Sequence, residues 1–292
     1  MPTGIAVSRV IIVQSLGPGE VQTGSMHAAW LRALVDENAV GIGVELVDVA
    51  GASAFRELMH ELVRRAQAHA DWPILHIECH GSKAVGLSFA DGTLLSWEAF
   101  GGLLAELNVA TGFNLLVLVS ACYGAYLAGQ FSPVQAAPAW GIIAPTRTVN
   151  PSEILSAFRT FYSRFAKTLD LGVATADLTR ASLSEGSWFW ELAEQWYETL
   201  IVAFARKRCS KNAIRHWART LSHKMRQSGV SVPVRTLEHQ LAAHNAQELT
   251  GKYFDRFFCV AQLPANGSRF EPVRQKVQRR LDELHELGLI AR

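Results

Sequence analysis

The sequence predicts an α/β protein: a mostly parallel sheet flanked by helices, followed by a helical C-terminal region. Three observations carry this. In the first half, short runs rich in β-branched residues alternate with stretches of helical period, and strands separated by whole helices need crossover connections that make them parallel. The run at 115–119 is apolar throughout, as a strand covered on both faces should be. From about residue 150 the strand pattern gives way to helical periods.

In chain order, residues 7–14 and 43–49 read as strands, and between them Met26, Trp30 and Leu34 recur at helical spacing. Phe55, Leu58, Met59, Leu62 and Ala66 repeat the helical period. Residues 73–78 form a third strand. The runs 87–90 and 93–95, joined at Asp91-Gly92, carry a hairpin signal. Ser96 is placed to cap a helix whose Trp97, Phe100, Leu104 and Leu107 share one face. Residues 115–120 and 140–144 are the next strands. Asn150-Pro151-Ser152-Glu153 then reads as a helix start, with Ile154, Phe158, Phe161 and Phe165 on its buried face. Helices are expected over 187–226, 237–249 and 273–287, with a short strand at 256–263.

Composition excludes several classes. With 292 residues, 49% apolar and 18% charged, the chain is long enough for one large or two modest cores and too apolar to be disordered. The formal net charge of +2 lacks the basic excess of a typical nucleic-acid binder. No charged residue occurs between Glu106 and Arg147, but Asn114, Ser120, Gln130, Pro133 and Pro138 break that stretch into pieces too short to span a bilayer, so no membrane association is expected. The four cysteines, at 79, 122, 209 and 259, show no CxxC spacing, which points to reduced thiols. Residues 1–9 lack the regions of a signal peptide. Together these predict a cytoplasmic protein.

Two strands end in reactive residues, one in Cys79-His80-Gly81-Ser82 and the other in Ser120-Ala121-Cys122-Tyr123-Gly124. In open α/β sheets ligands bind at the carboxyl ends of the strands. A thiol attacks a carbonyl as thiolate, and a nearby histidine favours that state or protonates the departing amine. Gly81 and Gly124 let backbone approach a substrate carbonyl.

These motifs carry a family resemblance. Residues 75–176 resemble the caspase-like fold of clan CD cysteine peptidases, especially its prokaryotic CHAT branch: a strand ending in His-Gly, a hairpin with Asp-Gly, an amphipathic helix, and a strand ending in Ser-Ala-Cys-x-Gly. Here these are His80-Gly81, Asp91-Gly92 and Ser120-Ala121-Cys122-Tyr123-Gly124, with the cysteine 42 positions after the histidine, against roughly 50 in the caspase pattern. The later Gly141-Ile142-Ile143-Ala144, Phe161-Tyr162 and Gly172 are similar to the elements that close CHAT domains. The resemblance implies a peptidase domain over residues 1–180 and a mainly helical region over 181–292. It implies Cys122 as nucleophile, His80 as acid-base partner, and the backbone N–H groups of Gly81 and Cys122 as oxyanion hole. Ser120 and Arg147 are its substrate-pocket candidates. Many relatives directed to basic residues carry an acid two places before the nucleophile; Ser120 stands there, which removes support for a basic P1 preference. Arg147 either reads an acidic P1 side chain bidentately or is a solvated loop arginine. The implied partners are a protein or peptide substrate and a regulatory protein, and the implied setting is bacterial defence, antiviral defence included, or stress signalling. The alternative is a silent caspase-fold module that binds partner proteins.

Other motifs fall away. His76, Glu78 and His80 share a strand face, but their spacing is not HExxH, and the His76-Ile77-Glu78 match to a zinc deaminase lacks its P-C-x-x-C partner, so no metal is expected. Gly17-Pro18-Gly19 is followed by Gln22 where a dinucleotide loop needs glycine, and no cofactor is expected. Lys211, Arg215 and Arg219 form a basic helical stripe of the kind that is usually a solvated face. Trp188, Trp190, Trp196 and Trp217 are expected in the core of the helical half or on a docking surface.

Overall fold

The computed structural model describes residues 7–69, 71–181 and 187–291; residues 1–6, on which part of the signal-peptide reading rests, lie outside them. Six strands form one mixed sheet in the order β2-β1-β3-β6-β7-β8: β1 (Arg9–Ser15), β2 (Gly43–Asp48), β3 (Pro73–Ser82), β6 (Leu116–Ser120), β7 (Gly141–Pro145) and β8 (Trp188–Leu192). All neighbours in it are parallel except β7 and β8. A hairpin of β4 (Gly86–Ser88) and β5 (Leu94–Leu95) extends antiparallel from the end of β3, turning at Asp91-Gly92 with Gly92 at φ 83°. The α/β class with a helical C-terminal region is therefore the observed one.

Both faces of the sheet are covered. On one, even-numbered residues of β1, β3 and β6, among them Val10, Ile12, Ile74, Leu116 and Leu118, pack with α1 (Thr23–Glu37), α4 (Pro151–Thr168) and α5 (Leu171–Ala181). Odd-numbered Ile11, Val13, Leu75, Ile77, Val117 and Val119 are buried on the other side, as the period of two requires. There α2 (Ala52–Ala68) packs against α3 (Trp97–Ala110), with the Phe55 and Phe100 rings 5.8 Å apart.

Local signals behave as read. Ser96 accepts from the N–H of Ala99 and starts α3. Asn150 and Glu153 form a complete capping box at α4, each side chain accepting from the other's backbone N–H. Asn150→Ala should cost about 1 kcal/mol, read as a lower urea midpoint with unchanged slope.

Four readings are corrected. The buried face of α1 runs through His27, Ala28, Leu31 and Val35 while Met26 is 41% exposed, because a buried histidine sits where an apolar count leaves a gap. Residues 188–192 are not helix: the Trp-Phe-Trp run suits a pleated surface, and β8 pairs with β7 from Leu192↔Gly141 to Trp188↔Pro145. The expected strand at 256–263 is instead the end of α9 (Lys252–Phe257) and a turn, since Phe254, Phe257 and Phe258 are buried at helical spacing. Because β8 completes the sheet, the first compact unit extends beyond residue 180 to Ala193.

The second unit comprises Ser132–Ala137 and the chain from Glu194 onward. Its helices are α6 (Ala193–Arg208), α7 (Lys211–Gln227), α8 (Val234–Thr250), α9, α10 (Ala265–Arg269) and α11 (Glu271–Glu286). Tyr197, Phe254, Phe257 and Phe258 form its aromatic centre, with Tyr197 donating its hydroxyl hydrogen to the carbonyl of Leu249. Among the described residues, no helix is long and apolar enough to cross a membrane.

Candidate active site

Register brings the two reactive segments together. Strands β3 and β6 pair in parallel through Glu78↔Ser120, so His80 and Cys122, each two residues farther on, leave adjacent strands at the same level. Both are even-numbered and continue the rows whose earlier members, Ile74 and Leu116, face α1 and α4. Their contacts agree. His80 Nε2 lies 2.6 Å from Glu20 Oε1, in the loop leading into α1, and the Cys122 thiol donates to the carbonyl of Val149 at 3.6 Å, in the loop leading into α4. Helices α1 and α4 pack together on that face.

The backbone between them is tight. A Cβ at residue 81 would stand 2.5 Å from the carbonyl oxygen of Cys122 and 3.0 Å from Ala121 Cβ. Gly81 is therefore required by close approach of the two strand ends. Directly after the cysteine, Tyr123 takes the left-handed conformation (φ 59°, ψ 25°), which a bulky residue rarely adopts. It is held by its N–H on the carbonyl of Arg147 (3.1 Å), by Thr148 Oγ1 donating to its hydroxyl (3.2 Å) and by Lys83 Nζ 4.7 Å from its ring centre. Such strain, of order 1–3 kcal/mol, persists where surrounding contacts enforce it and clusters at functional sites. Gly124 serves packing: a Cβ there would stand 2.8 Å from Val119 Cγ1, and it opens a single short 3-10 helix, Gly124–Gln130.

Glu20 is the residue that sequence reasoning missed. The N–H of Gly17, first, and then His80 hold its carboxyl below the usual range, so it is ionised and can only accept. His80 Nε2 must then carry a hydrogen toward it, which leaves Nδ1 as the nitrogen able to exchange a proton. With side chains 56% and 41% exposed, the pair adds little stability. What it fixes is the tautomer. The one visible signal was the Gly17-Pro18-Gly19 turn preceding it.

The other candidates separate. Cys79 points to the opposite face, 5% exposed, and burial pushes its thiol up. Ser120 is buried at 2% exposure, its hydroxyl 2.7 Å from His76 Nε2, so it lines no open pocket. The backbone of Arg147 belongs to the loop beside Cys122 and Tyr123, but its guanidinium donates to Glu153 (2.7 Å), Ser187 Oγ (3.1 Å) and the carbonyl of Thr148 (2.8 Å). An acidic substrate side chain would have to displace Glu153.

In the second unit, Lys211, Arg215 and Arg219 are exposed, as a solvated stripe should be. Of the four tryptophans, Trp188 is buried in the sheet and Trp217 is 47% exposed. Trp217 lies in a groove with Phe204, Leu221 and Leu241, rimmed by Arg208 and Lys224. Compared with known proteins, the chain matches no family model and no curated protein sequence.

Proposed function

We propose that the chain is a cysteine endopeptidase in which Cys122 attacks a peptide carbonyl and His80 moves the proton. The observation that carries this reading is the parallel pairing of β3 with β6 through Glu78↔Ser120, from which His80 and Cys122 each follow two residues on. The Cys122 thiol, now directed to Val149, rotates toward His80 Nδ1 and gives up its proton; apo catalytic geometry is often loose in this way. The thiolate adds to the carbonyl carbon, and the oxyanion meets the N–H groups of Gly81 and Cys122. The imidazolium then protonates the amine as the C–N bond breaks, and water delivered through His80 hydrolyses the thioester. Glu20 orients the imidazole throughout. The four unpaired thiols suit a reducing, cytoplasmic setting, where such an enzyme acts on a dedicated protein substrate under the control of a regulatory partner, in bacterial antiviral defence or stress signalling. The test is labelling by an acyloxymethylketone probe: one adduct on Cys122 supports the mechanism, and an unreactive Cys122 in a folded chain overturns it.

Glu20→Gln probes the orienting carboxylate. The amide accepts one weaker hydrogen bond and can also present N–H to His80, so kcat should fall by about 10-fold or more with little change in KM. The melting temperature should not move. Unchanged kcat would remove Glu20 from the mechanism.

The exposed apolar groove around Trp217 favours a second reading, a module that binds partner proteins. That reading prevails where Cys122→Ser retains cellular function and Trp217→Ala loses it.

A further inference from the structure

Beneath the strand that presents His80 lies a polar cluster that the peptidase mechanism does not use. His27 of α1 and His76 and Glu78 of β3 are 0%, 0% and 1% exposed. Their nearest donor atoms all lie within 4.8 Å of one another, the one such histidine, cysteine or carboxylate group of three among the described residues. Around them stand aromatic rings, with the Phe158 centroid 4.5 Å from that of His76 and 6.1 Å from that of His27. In such surroundings a polar atom without a partner is expensive. Yet neither ring nitrogen of His27 makes a hydrogen bond, and neither does Glu78 Oε1.

The unsatisfied atoms face each other. Glu78 Oε1 is 3.1 Å from His76 Nε2 and 3.5 Å from His27 Nε2. The second distance is too long for a good hydrogen bond. Both match the edges of a coordination tetrahedron, since zinc bonds of about 2.0–2.1 Å at the tetrahedral angle place neighbouring ligand atoms about 3.3 Å apart. Outer contacts prepare the atoms for that use. The Tyr162 hydroxyl lies 3.0 Å from His76 Nδ1, where it can accept from Nδ1–H and leave the Nε2 lone pair for the cluster, and Thr23 Oγ1 donates to Glu78 Oε2 at 2.7 Å, leaving Oε1 inward. His27, fully buried with neither ring nitrogen hydrogen-bonded, has a ring nitrogen to offer the cluster. Gly24 makes the room: a Cβ there would stand 3.2 Å from Glu78 Cγ.

We propose that His27 Nε2, His76 Nε2 and Glu78 Oε1 bind one divalent cation, with Zn²⁺ the best match to a compact two-nitrogen, one-oxygen set. Ser120 Oγ, 2.7 Å from His76 Nε2, stands beside the fourth position. The cation ties α1 to β3 and is taken up as the chain folds, because the finished cluster is closed to solvent. This assignment is independent of the peptidase reading. It revises the expectation of no metal, which considered His76, Glu78 and His80 on one strand. The third ligand comes from α1 instead.

The experiment uses the full chain carrying Cys122→Ser, which removes the half-buried thiol as a rival ligand, produced with added zinc or with added cobalt. Elemental analysis should find about one zinc per chain, and a substoichiometric trace in His27→Leu and Glu78→Gln. The cobalt form should show the intense d–d absorption of a tetrahedral nitrogen and oxygen set without thiolate charge transfer. Should a variant fail to fold, the cobalt spectrum decides alone. Folded protein without stoichiometric metal, metal retained by both variants, or a thiolate band would overturn the site.

Discussion

Cys122→Ser should lower peptide hydrolysis by on the order of 10³-fold or more, since removing a member of a catalytic unit forfeits what the unit does together. The change replaces one atom at a half-buried position, so the unfolding free energy should stay within about 0.5 kcal/mol of the parent. The two readouts therefore come apart. A serine hydroxyl is far less acidic than a thiol, and the imidazole of His80, oriented by Glu20, is too weak a base to ionise it in the ground state. His80→Ala should also abolish turnover, because it removes the group proposed to protonate the leaving amine, yet Cys122 should keep some reactivity toward iodoacetamide. Cys79→Ala is the control. Its side chain lies on the far face of β3, so truncation should cost about 1 kcal/mol in lost packing and leave kcat unchanged. Turnover that survives Cys122→Ser but disappears in Cys79→Ala would mean that the wrong thiol has been assigned.

Much of the first unit was legible because parallel strands covered on both faces are written as unbroken apolar runs. Residues 115–120 and 140–144 coincide with β6 and β7 to within one residue at each end, and the capping box at Asn150 located α4 without any tertiary information. Errors arose where composition and period disagreed. The Trp-Phe-Trp run at 188–190 sits in a helix-rich half, and its partner, β7, lies more than forty positions upstream; no local pattern announces an antiparallel edge strand of that separation. At 256–263 the opposite happened, a strand being read where the spacing of three and four through Phe254, Phe257 and Phe258 spelled the end of a helix.

The candidate site divides along the same line. Cys122 and His80 were visible because each stands at the end of a buried strand beside glycine, a local signal. Glu20 meets His80 across 60 positions, and only the lateral order β1-β3 brings its loop there. His27 was hidden for a related reason: its ligand-like environment is assembled from α1, β3 and α4, and within its own helix it reads as an interruption of the apolar face. Ser120 and Arg147 show the limit of carrying roles over by position. Alternation turns Ser120 into the buried cluster around His76, and the capping-box carboxylate of Glu153 occupies Arg147.

Gly81→Ala tests the assembled geometry without touching a catalytic side chain. The added methyl would sit 2.5 Å from the Cys122 carbonyl oxygen and 3.4 Å from its nitrogen. Both are backbone atoms that cannot rotate away. An ordinary carbon contact is about 3.5–4.0 Å, so the ends of β3 and β6 must part by on the order of 1 Å. Overpacking of this kind typically costs about 1–3 kcal/mol, which should appear as a lower urea midpoint. The functional loss should be larger than stability explains: a misplacement of about 1 Å can lower the rate about 10²-fold, and here it moves one proposed oxyanion donor relative to the other. Alkylation of Cys122 by iodoacetamide, which forms no oxyanion, should slow far less than peptide hydrolysis. If hydrolysis and alkylation fall by the same factor, Gly81 serves only to pack the strand ends, and its N–H is not a donor to the transition state.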